Sequence, residues 1–181
     1  MVLPIIIYGN PILRKKCLDV DILSCSSRKN INQLIKDMFE TIHTAKGIGL
    51  AAPQIGKNIR LFILKVEETT LVAKNAKKKI NNSYKEVFIN ARILKHYGEE
   101  CKFYEGCLSI PGIMGFVNRK SHVLIEYYDH NWRKKKQIFK GICARVIQHE
   151  YDHLNGKLFI DSFSSYKKKL VKEKLIHLLK K

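Results

Sequence analysis

Ile142-Cys143-Ala144-Arg145-Val146-Ile147-Gln148-His149-Glu150-Tyr151-Asp152-His153-Leu154 is the stretch on which the reading of the fold turns. Asn155-Gly156 follows it as a C-terminal stop, and the segment is predicted to be a helix. Residues four apart share one face of a helix, so His149 and His153 can present two imidazoles to one divalent metal. Ile142 and Val146 lie on the same stripe, which turns the histidines toward a core rather than toward solvent. Glu150 projects about 100° round from His149. It can therefore reach a water at the metal without being a ligand, the position a general base needs. Taken alone, the H-E-x-x-H pattern is also compatible with a chance match on a solvated helix face.

An open catalytic metal site usually has three protein ligands. Downstream of the helix Asp161, Glu173 and His177 are available, but none completes the H-E-x-x-H-x-x-G-x-x-H arrangement of zinc endopeptidases. Upstream, Cys107 sits in Glu105-Gly106-Cys107-Leu108-Ser109. A cysteine after glycine can bring a thiolate to a metal, although a small buried core residue is the commoner fate of a lone cysteine.

Outward from this helix, Ile31, Leu34, Ile35, Met38, Phe39 and Ile42 form one apolar stripe at helical period, with Gly47 as its stop. Gly9-Asn10-Pro11 opens a short helical segment, Ile12 to Lys16. Arg60–Val66, Val87–Asn90 and Lys102–Tyr104 read as strands, and His122–Tyr128 with Lys136–Lys140 as a hairpin around Asp129-His130-Asn131-Trp132. Residues 67–85 read as a loop or hairpin excursion. A last helix covers about Tyr166–Lys180. The expected fold is α+β: mainly antiparallel sheets packed around the central H-E-x-x-H helix, with an additional C-terminal helix. Residues 1–165 are expected to form the catalytic domain and 166–181 a basic amphipathic helix.

The chain has 181 residues, 45% of them apolar, enough for one domain with a sizeable core. Its 34 Lys and Arg against 16 Asp and Glu give a net charge of +18, which favours encounters with polyanions but says nothing of the fold. A nucleotide bias in the source genome explains the scattered lysines equally well. Five cysteines, an odd number without CxxC spacing, argue against a disulfide framework and for a reducing compartment. No stretch approaches the ~18 apolar residues of a membrane span. The expectation is a cytoplasmic protein, with a processed organelle form equally compatible.

Three segments decide the function together. Gly47-Ile48-Gly49-Leu50-Ala51-Ala52-Pro53-Gln54, Glu105-Gly106-Cys107-Leu108-Ser109 and Gln148-His149-Glu150-Tyr151-Asp152-His153-Leu154 resemble, in order and spacing, the three signature motifs of the peptide deformylase family. The opening Gly-Asn-Pro-Ile-Leu-Arg and Gly156-Lys157-Leu158-Phe159 extend the resemblance over most of the chain. It implies a hydrolase that removes the formyl group from N-formylmethionyl peptides, with Cys107, His149 and His153 as metal ligands. Fe(II) is the native ion the family implies, with Zn, Ni or Co able to replace it. Glu150 would be the base, and Gln54 with the Leu108 N–H would stabilise the oxyanion. Ile48, Gly49 and Gly106 would line the peptide strand, with Ile142, Val146 and the stem of Arg145 forming the methionine pocket. Many members carry an Arg where this chain has Met114, and a proline where it has Asn118. Arg119 is expected to pair with Glu105. The basic C-terminal helix, with seven lysines against Glu173 over residues 166–181, implies a contact with the ribosome or, equally, a docked helix with a solvated face. Alternatives of other classes are a zinc endopeptidase and a basic RNA-binding module with a closed structural metal site.

Overall fold

A computed structural model describes residues 1–67 and 83–179. The middle of the expected excursion over 67–85 therefore lies outside the described residues. Five strands of the described residues form one sheet in the order β1-β2-β3-β4-β5, every neighbouring pair antiparallel. They are β1 (Gly49–Ala51), β2 (Leu61–Glu67), β3 (Ser83–Cys107), β4 (Ile110–Tyr128) and β5 (Lys134–Lys140). Among the described residues three α-helices accompany them: α1 (Cys25–Thr44), α2 (Gly141–Leu154) and α3 (Ser165–Leu179). None of the described helices is long and apolar enough to cross a membrane.

Strand β2 shows why the sheet sits between two layers. Its residues Leu61 and Ile63 join the α1 stripe of Ile31, Ile35, Met38 and Ile42 in one apolar cluster. The alternate residues Phe62, Leu64 and Val66 face the other way, into a cluster with Cys143, Ala144, Val146 and Ile147 of α2. A strand covered on both faces reads as a continuous apolar run, and Leu61–Leu64 is one. A third cluster joins Leu13, Ile110, Phe159 and Phe163 to Val171 and Leu178 of α3.

Several sequence expectations change. Val87–Asn90 and Lys102–Tyr104 are parts of one 25-residue strand, β3, and Ser83–Lys85 already belong to it. Asn90 (φ 51°), the expected end of the first of these strands, and Gly98 (φ 79°) fall where the β3–β4 register shifts, between Ile89 and Arg92 and between Tyr97 and Glu100. Such bulges bend a strand without ending it, and turn-like residues are what they need. Helix α1 starts six residues before its apolar stripe, because Ser24 caps it by accepting from the Ser27 N–H. The first helical segment is a 3-10 turn, Pro11–Arg14. On α3 Val171 and Leu178 are buried, whereas Leu170 and Leu179 are exposed.

The end of α2 is tied down firmly. Gly156 adopts φ 69° and its N–H donates to His153 O, while Lys157 N–H donates to Asp152 O. A Cβ there would lie 2.3 Å from Arg14 O, so glycine is required by both conformation and packing. Cys17 N–H and the buried Arg60 guanidinium both donate to Leu154 O, and Arg60 also donates to Ala91 O. A buried cation at a helix C-terminus satisfies its orphan carbonyls and complements the dipole.

Candidate metal centre

Helix α2 projects His149 and His153 toward the β3–β4 turn, which carries Cys107. One donor atom from each of these three residues lies within 4.8 Å of the other two. That is close to the span allowed by one ion with bonds of about 2.0–2.3 Å. Cys107 Sγ is 3.3 Å from His153 Nε2. His153 Nδ1 and Glu150 Oε2 are buried without a partner among the described residues. A thiolate and two imidazoles facing one point, in a pocket with unsatisfied polar atoms, fit a bound divalent ion.

Glu105 anchors the arrangement. Arg119 donates to it from Nε (2.8 Å) and Nη2 (3.1 Å), and Arg145 from Nη1 (2.5 Å). Burial alone would raise this carboxyl, but hydrogen bonds from His149 and Arg119 outweigh it and hold the group at about 2. Being ionised, Glu105 accepts from the His149 Nδ1–H at 3.1 Å. That bond sets the tautomer and leaves the His149 Nε2 lone pair for a metal. Arg119 reaches on to Asp152 at 2.8 Å, so the cysteine strand and the histidine helix share one charged network.

Gln54 is fully buried in a 3-10 turn, Ala52–Ile55. Its Oε1 accepts from the Ala51 N–H at 2.8 Å, which fixes the amide's orientation. The Nε2 then faces Cys107 Sγ (3.5 Å) and Ser109 Oγ (3.3 Å). Glu150 is 4% exposed, and burial pushes its carboxyl up to about 7 against the pull of His149 and Arg119. A Cβ on Gly49 would lie 2.3 Å from Glu150 Oε1 and 2.7 Å from Val146 Cγ1. Gly49 is therefore needed for close packing against Glu150, a reason beyond its expected place along the peptide strand.

A cleft of about 480 Å³ opens onto these groups. Ile48, Gly49 and Gln54 line one side, and Gly106, Cys107 and Leu108 another. Ile142, Arg145, Val146, His149 and Glu150 contribute from α2. Every residue expected at the site lines this cleft except His153, which lies behind it in the metal cluster. Sequence reasoning treated Arg145 only as a methylene wall. Its guanidinium is committed elsewhere, to Glu105, Val117 O and Cys101 O. It also missed Arg60 and Asp152. The available signal was a charge beside core-facing residues, Arg60 before Leu61–Leu64 and Asp152 next to His153, which demands a partner.

The sequence model of the polypeptide deformylase family matches residues 2–169. A peptide deformylase of Karelsulcia muelleri is 51% identical, over 90% of this chain and 78% of that protein. One from Christiangramia forsetii is 44% identical, over 99% and 91%. Among solved structures, the crystal structure of peptide deformylase from Plasmodium falciparum superposes with a TM-score of 0.81 at 40% identity, covering 97% of this chain and 95% of that one. That from Legionella pneumophila gives 0.79 at 34%, covering 98% and 95%. With its cysteine and two histidines gathered at one buried point, the chain belongs to the polypeptide deformylase family, metal-dependent hydrolases that remove the formyl group from N-terminal formylmethionine.

Proposed function

We propose a division of roles for deformylation in this cleft. Cys107, His149 and His153 hold one divalent ion, natively Fe(II), for which Zn, Ni or Co can substitute because a thiolate with two imidazoles suits all of these borderline ions. Bound there, the ion supplies a Lewis acid and an activated water. Glu150 accepts a proton at its carboxylate and delivers it to the leaving amine. Gln54 Nε2 and the Leu108 N–H donate to the formyl oxygen as it gains negative charge. The peptide lies as an added strand along the backbone of Ile48 and Gly106, with Gly49 beside it. Its methionine side chain enters between Ile48, Ile142, Val146 and the stem of Arg145. A formyl carbon bears only hydrogen, so a tight fit around it disfavours acetyl peptides by steric clash.

The observation that carries the base assignment is the unpartnered Glu150 Oε2, buried beside His149 at the floor of the cleft. A buried carboxylate without a donor is costly, and proton transfer is a use that justifies it. The test is formate release from formyl-Met-Ala-Ser together with metal analysis of the same sample. Glu150→Gln should retain the metal and lose more than about 100-fold in kcat, the scale of acid–base catalysis. His149→Ala should lose the metal itself. Substantial turnover by Glu150→Gln would move the base elsewhere. Metal analysis of anaerobically purified protein, with activity followed in air, decides the ion: an iron form should decay through oxidation at Cys107 while nickel or cobalt forms persist.

Residues 1–165 form the catalytic unit and 166–181 an appended basic segment in this reading. The location is the cytoplasm, where formylated chains are made. The exposed lysines of α3, among them Lys168, Lys169 and Lys172, support a contact with ribosomal RNA. Such a contact would raise the effective concentration of a briefly presented substrate.

A further inference from the structure

The β3–β4 hairpin has two faces at the cleft. Phe103, Glu105 and Cys107 look toward α2, where they meet Arg145, His149 and His153 respectively. Strand alternation puts Tyr104 and Gly106 on the opposite face. The register sets Phe116 across from Tyr104, and Met114 across from Gly106. The Tyr104 and Phe116 rings lie 5.0 Å apart. Met114 leans over Gly106, whose Cβ, if present, would be 3.3 Å from Met114 Cγ. All three side chains are open to solvent: Tyr104 is 46%, Met114 46% and Phe116 59% exposed. Neighbouring large apolar groups on one exposed face mark a contact surface. Tyr104 and Met114 also line the cleft that holds His149 and Glu150, so this surface is continuous with the metal centre.

We infer that Tyr104, Met114 and Phe116 form a shelf for an apolar or aromatic side chain at the second position of the substrate, directly after the methionine. This rests on the peptide lying as a strand beside Ile48 and Gly106. Among the described residues β1 is paired only with β2, and the Gly106 end of β3 only with β4, so each offers an edge at the cleft. In a strand laid between them, successive side chains point to opposite faces. With methionine directed at Ile142 and Val146 of α2, the next side chain emerges on the outer face, beside Met114 and within diagonal reach of Tyr104. The fringe of the shelf is basic: Lys46 lines the cleft, and Lys102 Nζ lies 5.1 Å from the Phe116 ring centre. A lysine at the second position would meet like charge there.

The test compares kcat/KM for formate release from formyl-Met-Phe-Ser, formyl-Met-Ala-Ser and formyl-Met-Lys-Ser. Phenylalanine should exceed alanine by about tenfold, the effect of burying roughly 50 Å² of apolar surface, and lysine should be the poorest. The gain should fall mainly in KM, as expected of contacts made equally in ground and transition states. In Tyr104→Ala/Met114→Ala the phenylalanine-to-alanine ratio should contract toward one. Met114→Glu should raise lysine above alanine. Equal rates on all three peptides in the unaltered protein, or a ratio untouched by both variants, would overturn the shelf while leaving deformylation intact. Formate release from none of the peptides would instead remove the peptide placement on which the shelf depends. A dimer in sedimentation that the double variant dissolves, with peptide ratios unmoved, would assign the surface to a second copy of the chain.

Discussion

Gly49 and Glu150 touch so closely that the smallest side chain matters to the carboxylate proposed as the base. Adding one methyl at Gly49 would drive it against Glu150 Oε1 and Val146 Cγ1. Gly49→Ala is expected to displace the carboxylate, lowering kcat at least tenfold while the metal content stays unchanged. Overpacking of this kind costs about 1–3 kcal/mol, so a modest fall in the unfolding midpoint should accompany it. Steady-state kinetics with metal analysis separates this outcome from loss of the metal site. Unaltered kcat would mean that the Glu150 side chain can move aside freely and that its packing is irrelevant to turnover.

Between elements, Glu105 joins β3 to β4 through Arg119 and to α2 through Arg145 and His149. Glu105→Gln would leave buried guanidinium charge uncompensated, and breaking a buried pair from one side costs about 3–5 kcal/mol. It would also withdraw the charged acceptor from His149, for which metal affinity should fall about 10–100-fold. Denaturant unfolding and competitive metal titration read the two effects separately. A second tie holds the 3-10 turn Phe159–Ser162 to Pro11–Arg14: Asp161 accepts from Arg14 at 2.6 and 3.0 Å and from the Leu158 N–H at 2.9 Å. Burial would raise the Asp161 carboxyl, but Arg14 and the Leu158 N–H more than compensate and lower it. A depressed folded value means stability that is present above the unfolded carboxylate range, ~3.9, and lost as pH falls through the folded value. Asp161→Asn should therefore destabilise at pH 6 by under about 1 kcal/mol, since the pair is part-exposed, and the difference should vanish as pH drops below ~4. A mutant difference that grew toward acid pH would contradict the ion pair.

At the scale of the whole molecule, α3 buries Val171 and Leu178 against the cluster that includes Phe163 and Ile110. Deleting it would expose that cluster, so removal is a poor test of its basic face. Lys168→Glu/Lys169→Glu/Lys172→Glu changes only exposed positions and keeps the docking contacts. Ribosome co-sedimentation of this variant should fall well below that of the unaltered protein. The unaltered protein's own binding should weaken steeply with salt, because neutralised phosphates release counterions. Turnover on short formyl peptides should be nearly the same for both. Equal sedimentation at low and high salt would confine α3 to a structural role.

The chemistry was legible because it is local in sequence: i,i+4 histidines need only a helix, and the helical stripe ending in Asn155-Gly156 is visible without coordinates. The α+β class and the hairpin around Asp129–Trp132 were legible for the same reason, period and turn residues being short-range properties. The continuity of β3 was not, since Asn90 and Gly98 mark a bulge and a break with the same residue types, and only pairing with β4 distinguishes them. The family resemblance implied the Arg119–Glu105 pair, which the structure shows, but not the rest of the Glu105 network, which gathers groups up to 44 residues apart. Arg119, Arg145 and His149 share one carboxylate because a long hairpin and a helix are packed face to face. From local order alone came the cysteine and two histidines that gather at one point, because helix period and motif spacing are short-range properties. The tertiary structure decided which charges are buried together, because burial makes an unpaired ion too costly and so selects the partner by position in space.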